Sequence, residues 1–163
     1  MTLDDFEIFV LDFDGVLTND RVYVDSNGVE SVVCNRRDGL AFDVLRKLKK
    51  KVFILSTEKN NVVAVRAAKL KVPAIYGVGN KSERLIELFN ELGVSGDKAC
   101  YLGNDLNDLY AMNLCSLKVA PNDAHPTVKN IADIIVASNG GDGVLRELME
   151  IHFKLNFVEV LYG

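Results

Sequence analysis

Phe9-Val10-Leu11-Asp12-Phe13-Asp14-Gly15-Val16-Leu17-Thr18 is the most informative stretch of the 163-residue chain. An apolar run of strand character ends in two carboxylates two positions apart, and a glycine follows that permits a sharp turn. On a continuing strand Asp12 and Asp14 share a face, where two anions are costly together unless a cation offsets them. A hard divalent ion such as Mg2+ is the natural partner, because it takes oxygen ligands. An aspartate at the carboxyl end of a strand can also attack phosphorus and form an acyl phosphate. Read alone, the pair serves equally well as caps of the following turn.

Outward from this stretch, short apolar runs alternate with amphipathic ones. Strands are expected at 7–11, 52–55, 73–76, 99–102, 116–119 and 134–136, and helices near 39–50, 60–71, 80–92, 106–113, 124–131 and 143–153. The 80–92 segment places Leu85, Ile86, Leu88, Phe89 and Leu92 at helical spacing. Such alternation predicts an α/β protein: a mainly parallel sheet, doubly wound and Rossmann-like, with helices on both faces. One segment breaks the rhythm. Val22-Tyr23-Val24, then Asp25-Ser26-Asn27-Gly28, then Val29 to Cys34 reads as a β-hairpin (21–34) with an Asn-Gly turn, inserted after the first strand. That position lies near the carboxyl ends of the strands, where such sheets bind ligands, and its Val and Tyr residues suit a lid or a contact between copies. With no linker, repeat or low-complexity segment, residues 1–163 are expected to form one domain.

Three further signals fall at or just past later strands. Ser56 follows Val52-Phe53-Ile54-Leu55 and can donate its hydroxyl to a phosphate oxygen. Lys81 opens a helix after Gly77-Val78-Gly79-Asn80, where it can offset phosphoryl charge together with the helix amides. A lone first-turn lysine is usually solvated, yet it is disfavoured beside the positive end of a helix dipole. Gly103-Asn104-Asp105-Leu106-Asn107-Asp108 offers several oxygen ligands on a tight loop, or an ordinary helix cap. Each signal is weak alone. Four of them, all expected on one edge of one sheet, make a site.

Composition excludes several other classes. A formal charge of −4, with Lys49-Lys50-Lys51 the only basic run, argues against nucleic-acid binding. No apolar run is long enough to span a membrane, and Asp4, Asp5 and Glu7 are unlike a signal peptide, so a cytoplasmic protein is expected. Cys34, Cys100 and Cys115 have no paired spacing and read as buried thiols, while His125 and His152 lack metal-ligand spacing and read as structural. The 77–82 segment lacks the glycine before lysine that a nucleotide-binding P-loop requires. A phospho-accepting receiver would carry its acceptor aspartate on a middle strand, where this chain has Ser56.

These motifs resemble the haloacid dehalogenase superfamily, and more narrowly its capless sugar-acid phosphatases. Residues 11–18, the hairpin, Arg37-Asp38-Gly39-Leu40, Leu55-Ser56-Thr57-Glu58, Asn80-Lys81, residues 102–108, Asp123-Ala124-His125-Pro126 and Gly140-Gly141-Asp142-Gly143 carry the likeness over nearly the whole chain. The resemblance implies magnesium-dependent hydrolysis of a sugar-acid phosphate through an aspartyl-phosphate. The substrate would be a nonulosonate 9-phosphate or 3-deoxy-octulosonate 8-phosphate. Asp12 would be the nucleophile and a metal ligand, and Asp14 the acid–base whose carbonyl also binds the metal. Ser56 and Lys81 would hold the phosphoryl oxygens. Asn104 would be the third protein ligand, supported by Asp105 and Asp108. Glu58 and Lys69 match positions resembling the nonulosonate branch and are read as specificity residues. The resemblance further implies a homotetramer in which a neighbour helps to close each site.

One departure stands out. The superfamily usually has aspartate where this chain has Asn104, so the site loses a negative charge and should bind the metal more weakly. The rival reading built on it is an inactive oligomerisation or regulatory domain linked to an acylneuraminate cytidylyltransferase. The apolar tail after residue 143, with Phe153, Leu155, Phe157, Val158 and Leu161, is expected either to pack as a last helix and strand or to reach a neighbouring subunit.

Overall fold

A computed structural model describes all 163 residues. Six strands form one parallel sheet: β1 (Ile8–Leu11), β4 (Lys51–Leu55), β5 (Ala74–Ile75), β6 (Ala99–Leu102), β7 (Leu117–Ala120) and β8 (Ile134–Ile135), in the order β5-β4-β1-β6-β7-β8. The chain builds outward from β1 to β5 on one side, then returns to build from β6 to β8 on the other. The expected doubly wound α/β fold is therefore present, with its switch point at β1. Side chains alternate across β1. Phe9 and Leu11 enter the core beneath α1 (Arg37–Lys47), α2 (Val62–Leu70), α6 (Val144–Glu147) and α7 (Phe157–Tyr162). Ile8 and Val10 enter the other core, beneath α3 (Lys81–Leu92), α4 (Leu109–Met112) and α5 (Pro126–Ile131). All four residues are fully buried, each adding about 1.5–3 kcal/mol by leaving water.

Register fixes where the site sits. Leu11 pairs with Ile54 on one side and with Leu102 on the other, so β1, β4 and β6 end at nearly one level. The residues just past those ends, Asp12, Ser56 and the 103–108 loop, consequently share one edge. Lys81 joins them as the first residue of α3, whose N-terminus Asn80 caps by accepting from Ser82 N and Glu83 N. On the opposite flank, buried Asp38 accepts from the N–H groups of Leu145 and Arg146, tying the start of α1 to the start of α6; burial pushes its pKa up to about 6.

Several expectations change in detail. The hairpin is present but short, with β2 (Tyr23–Val24) antiparallel to β3 (Glu30–Ser31). Its connection spans 25–29, one residue beyond the expected 25–28, and Asp25 Oδ1 accepts from both Asn27 N and Val29 N and draws the loop around itself. Residues 106–113 split into a 3-10 turn, Leu106–Asp108, followed by α4. The helix expected at 143–153 changes to a π-turn over Leu148–His152. The tail packs on its own chain as α7 with no strand, burying Phe157, while Phe153 meets Phe6 and Phe9 edge-on. Cys100 and Cys115 are buried, but Cys34 is only half-buried; all three are free thiols. His125 caps α5 by accepting from Thr127 N. No helix is long and apolar enough to cross a membrane.

Candidate active site

Residues 13–18 leave β1 in a tight loop: the N–H groups of Leu17 and Thr18 both return to the Phe13 carbonyl. The turn needs Gly15 at φ +81°, and a side chain there would overlap Asn104. Thr18, fully buried, accepts from Gly15 N at 3.2 Å and donates its hydroxyl to Asp14 Oδ1 at 3.3 Å. The Asp14 side chain is thereby held at the mouth of a cavity of about 80 Å³. Asp12, Asp14, Asp20, Ser56, Thr57, Asn104, Asp105 and Asn107 line it, with no apolar residue among them.

Beneath the cavity is a buried ion network. Lys81 Nζ lies 2.8 Å from Asp12 Oδ1 and 2.7 Å from Asp108 Oδ1, and its side chain is 1% exposed. Asp108, fully buried, also accepts from Tyr101 OH at 2.8 Å and from the N–H groups of Asn104 (2.9 Å) and Asp105 (3.3 Å). With its charge distributed over four donors, Asp108 orients both Lys81 and the loop bearing Asn104. Burial pushes the Asp12 carboxyl well up and nearby Asp108 adds to this, while Lys81 and the Phe13 N–H pull the other way. For Lys81 burial works against the ammonium, but Asp12 and Asp108 outweigh it and its pKa is raised. Burial also raises Asp14, with Thr18 opposing and Glu58 and Asp20 adding repulsion.

The two Asp12 oxygens face different partners. Oδ1 accepts from Phe13 N at 2.7 Å and from Lys81, whereas Oδ2 lies beside the side-chain amide of Asn104, as does the carbonyl of Asp14. No three His, Cys, Asp or Glu side chains are arranged to hold a metal ion by themselves. This cradle combines one carboxylate with a backbone carbonyl and an amide, all oxygen donors that suit a hard divalent cation.

The structure thus gathers Asp12, Asp14, Ser56, Lys81, Asn104, Asp105 and Asp108 around one cavity. It separates Glu58 from Lys69. Half-buried Glu58 turns its carboxylate back to accept from Lys59 N and Asn60 N, beside a shallow pocket shared with Asp14, Val22 and Asn60. Exposed Lys69 lines a basic pocket of about 510 Å³ between α1 and α2, together with Arg36, Arg66 and Lys71.

Sequence reading gave no role to Tyr101, Thr18 or the Gly140-Gly141 pair. Gly141 N donates to the Val16 carbonyl at 3.0 Å, and Gly140 N donates to Asp123 Oδ1 at 2.8 Å. A Cβ on Gly140 would fall on the carbonyls of Gly15 and Thr18, which are backbone and cannot swing aside. Gly140→Ala is therefore expected to displace the loop carrying Asp14 and lower kcat about 10²-fold, the scale of an ångström-sized misplacement. Gly96→Ala is the control. Its Cβ would strike the Leu114 carbonyl away from the cavity, so it should lower Tm while sparing kcat. Equal kcat in Gly140→Ala and the parent chain would refute the positioning role.

Residues 43–148 match the family described as haloacid dehalogenase-like hydrolase. The 3-deoxy-D-manno-octulosonate 8-phosphate phosphatase of Escherichia coli K12 is 32% identical over 149 residues, covering 91% of this chain and 79% of that protein. Among solved structures, a haloacid dehalogenase family hydrolase from Streptomyces avermitilis superposes with a TM-score of 0.90 at 43% identity, covering 92% of this chain and 86% of the other. The cobalt-bound deoxy-D-mannose-octulosonate 8-phosphate phosphatase of Haemophilus influenzae gives a TM-score of 0.86 at 28% identity, with coverages of 98% and 91%.

Proposed function

The chain belongs to the haloacid dehalogenase-like hydrolases, and we propose that it is a cytoplasmic, Mg2+-dependent phosphatase of sugar-acid monophosphates that works through a phospho-aspartate on Asp12. The observation that carries this reading is the division of labour at Asp12. One oxygen is fixed by Phe13 N and Lys81, the other faces the Asn104–Asp14 cradle, and the carboxylate borders a wholly polar cavity.

Asp12 attacks phosphorus, and the bond to the sugar oxygen breaks. Asp14, held by Thr18, gives that oxygen its proton. Ser56 and Lys81 hold the equatorial oxygens as charge develops, since phosphoryl transfer requires mainly positioning and neutralisation. In the second half Asp14 takes a proton from water, whose oxygen displaces Asp12 and releases inorganic phosphate. Asp12 Oδ2, the Asp14 carbonyl and the Asn104 amide oxygen would hold the magnesium ion. When bound, it offsets charge on the phosphoryl group and aligns that group with the nucleophile.

The substrate is a nonulosonate 9-phosphate or a 3-deoxy-octulosonate 8-phosphate. The E. coli relative is named for the second, and Glu58 with Lys69 favours the first. Within one chain the two line separate pockets, so one sugar acid would engage both only across two copies. The rim of the site offers the contact: Val22, Tyr23, Val24 and Val29 of the hairpin are all more than half exposed. Packed between copies, this ribbon would form the homotetramer and cover the cavity.

The test is phosphate release from octulosonate 8-phosphate, acylneuraminate 9-phosphate and deaminated neuraminate 9-phosphate, with Mg2+ and then with excess chelator. Turnover that chelator abolishes, with one preferred sugar, supports the reading. Folded protein that releases phosphate from none of them would leave the regulatory-domain alternative.

A further inference from the structure

Of the three groups proposed to hold the cation, only the Asn104 side chain carries both an acceptor and donors, so it can serve a cation-bound and a cation-free site. Its backbone is held on both sides, the N–H donating to Asp108 Oδ2 at 2.9 Å and the carbonyl accepting from His125 N at 2.8 Å. Only the side chain can respond, and it is buried against Gly15, whose missing Cβ leaves it room. An amide has an oxygen at one end and two N–H donors at the other, nearly equal in size. With the oxygen inward, it meets Asp12 Oδ2 and the Asp14 carbonyl as a third acceptor, an arrangement that a cation relieves. With the NH2 inward, it donates to Asp12 Oδ2 at 3.2 Å and to the Asp14 carbonyl at 2.9 Å. The other two atoms that would hold the cation then both accept from the Asn104 NH2 in its place.

We propose that Asn104 is a rotating latch, closing the cation cradle with its NH2 and opening it by turning its oxygen inward as the ion binds. A carboxylate at this position does the second without help, and the first only by taking up a proton. Without a cation it otherwise faces Asp12 with like charge. The latch has two consequences. A cation entering this site displaces two hydrogen bonds and gains one negative charge fewer, so it binds less tightly than at a carboxylate. The cation-free site, in return, keeps Asp12 and the Asp14–Gly15 peptide in register. Activity would then follow free cation over a range in which the carboxylate version is already saturated. The inference rests on the proposed cation site, and its test uses no substrate.

The experiment compares the 15N-labelled full chain with Asn104→Asp, first in chelator and then through a Mg2+ titration. In chelator the Asn104 NH2 pair, assigned by its loss in the variant, should exchange slowly with water. On adding Mg2+ it should shift and lose protection, while the Asn104 backbone N–H stays in place. By calorimetry Asn104→Asp should bind Mg2+ about tenfold more tightly or better. In chelator its Tm should fall below that of the parent, and its gain on adding Mg2+ should be larger. An NH2 pair that exchanges freely in chelator would overturn the latch, as would a variant no less heat-stable there than the parent. If neither protein takes up Mg2+, the cation site fails, and the latch with it.

Discussion

Replacing Asp12 by Asn is expected to reduce turnover by more than about 10⁴-fold while the chain stays folded. The amide keeps the shape of the carboxylate, and its oxygen can still accept from Phe13 N and Lys81. What disappears is the anionic oxygen able to form a bond to phosphorus. Stability should change little, because two effects oppose each other. Lys81 loses one of its two anionic partners, but a buried carboxyl that burial and Asp108 both push upward is no longer present. Unfolding midpoints within about 1 kcal/mol of the parent would establish that the fold is intact. Rapid acid quenching with a labelled phosphoryl donor adds a direct readout: the parent should carry label on Asp12 and the variant none. A variant that keeps a few per cent of the parent rate would exclude Asp12 as the nucleophile.

The parts of this site that were legible in the sequence are those that parallel strand geometry brings together by itself. A chain whose apolar runs all point one way must deliver the residues after each run to a common edge, and Asp12, Ser56 and Asn104 follow from that rule alone. Lys81 was legible because a first-turn lysine opposes the helix dipole and therefore requires an anion, which the structure provides twice over. Tyr101 was not legible. It sits within the apolar run of β6 and has the pattern of a core aromatic; only its hydroxyl, reaching Asp108, distinguishes it. The Gly140–Gly15 contact joins segments far apart in the sequence, and a glycine run carries no hint of what it must approach. The hairpin was legible, but the part played by Asp25 was not: Asn-Gly carried the reading, whereas the Asp25 carboxylate shapes the loop. The tail was open to two readings because apolarity gives burial but not the surface that covers it. Here that surface is the core beneath α1.

Replacing Lys81 by Met should abolish turnover and also destabilise the fold by about 3–5 kcal/mol near pH 7.5, the scale for removing one partner of a buried ion pair. Methionine fills the volume of the stem but leaves Asp12 and Asp108 facing one another, 5% and 0% exposed, with no cation between them. Against a total stability of about 5–15 kcal/mol that loss is large. Its pH dependence is what identifies the cause. Without the ammonium, burial and repulsion from Asp108 raise the Asp12 carboxyl with no cation opposing them, so the folded variant holds a proton there that the unfolded chain releases at neutral pH. Where the native state binds more protons than the unfolded one, stability falls as pH rises. The deficit of Lys81→Met relative to the parent should therefore shrink as pH is lowered from 8 toward 5, a range over which losing a salt bridge between exposed groups would leave the deficit unchanged. Millimolar Mg2+ at pH 7.5 should recover part of it by restoring positive charge beside Asp12. A variant within about 1 kcal/mol of the parent at every pH would mean that Asp12 and Asp108 do not rely on Lys81 as their shared counter-ion.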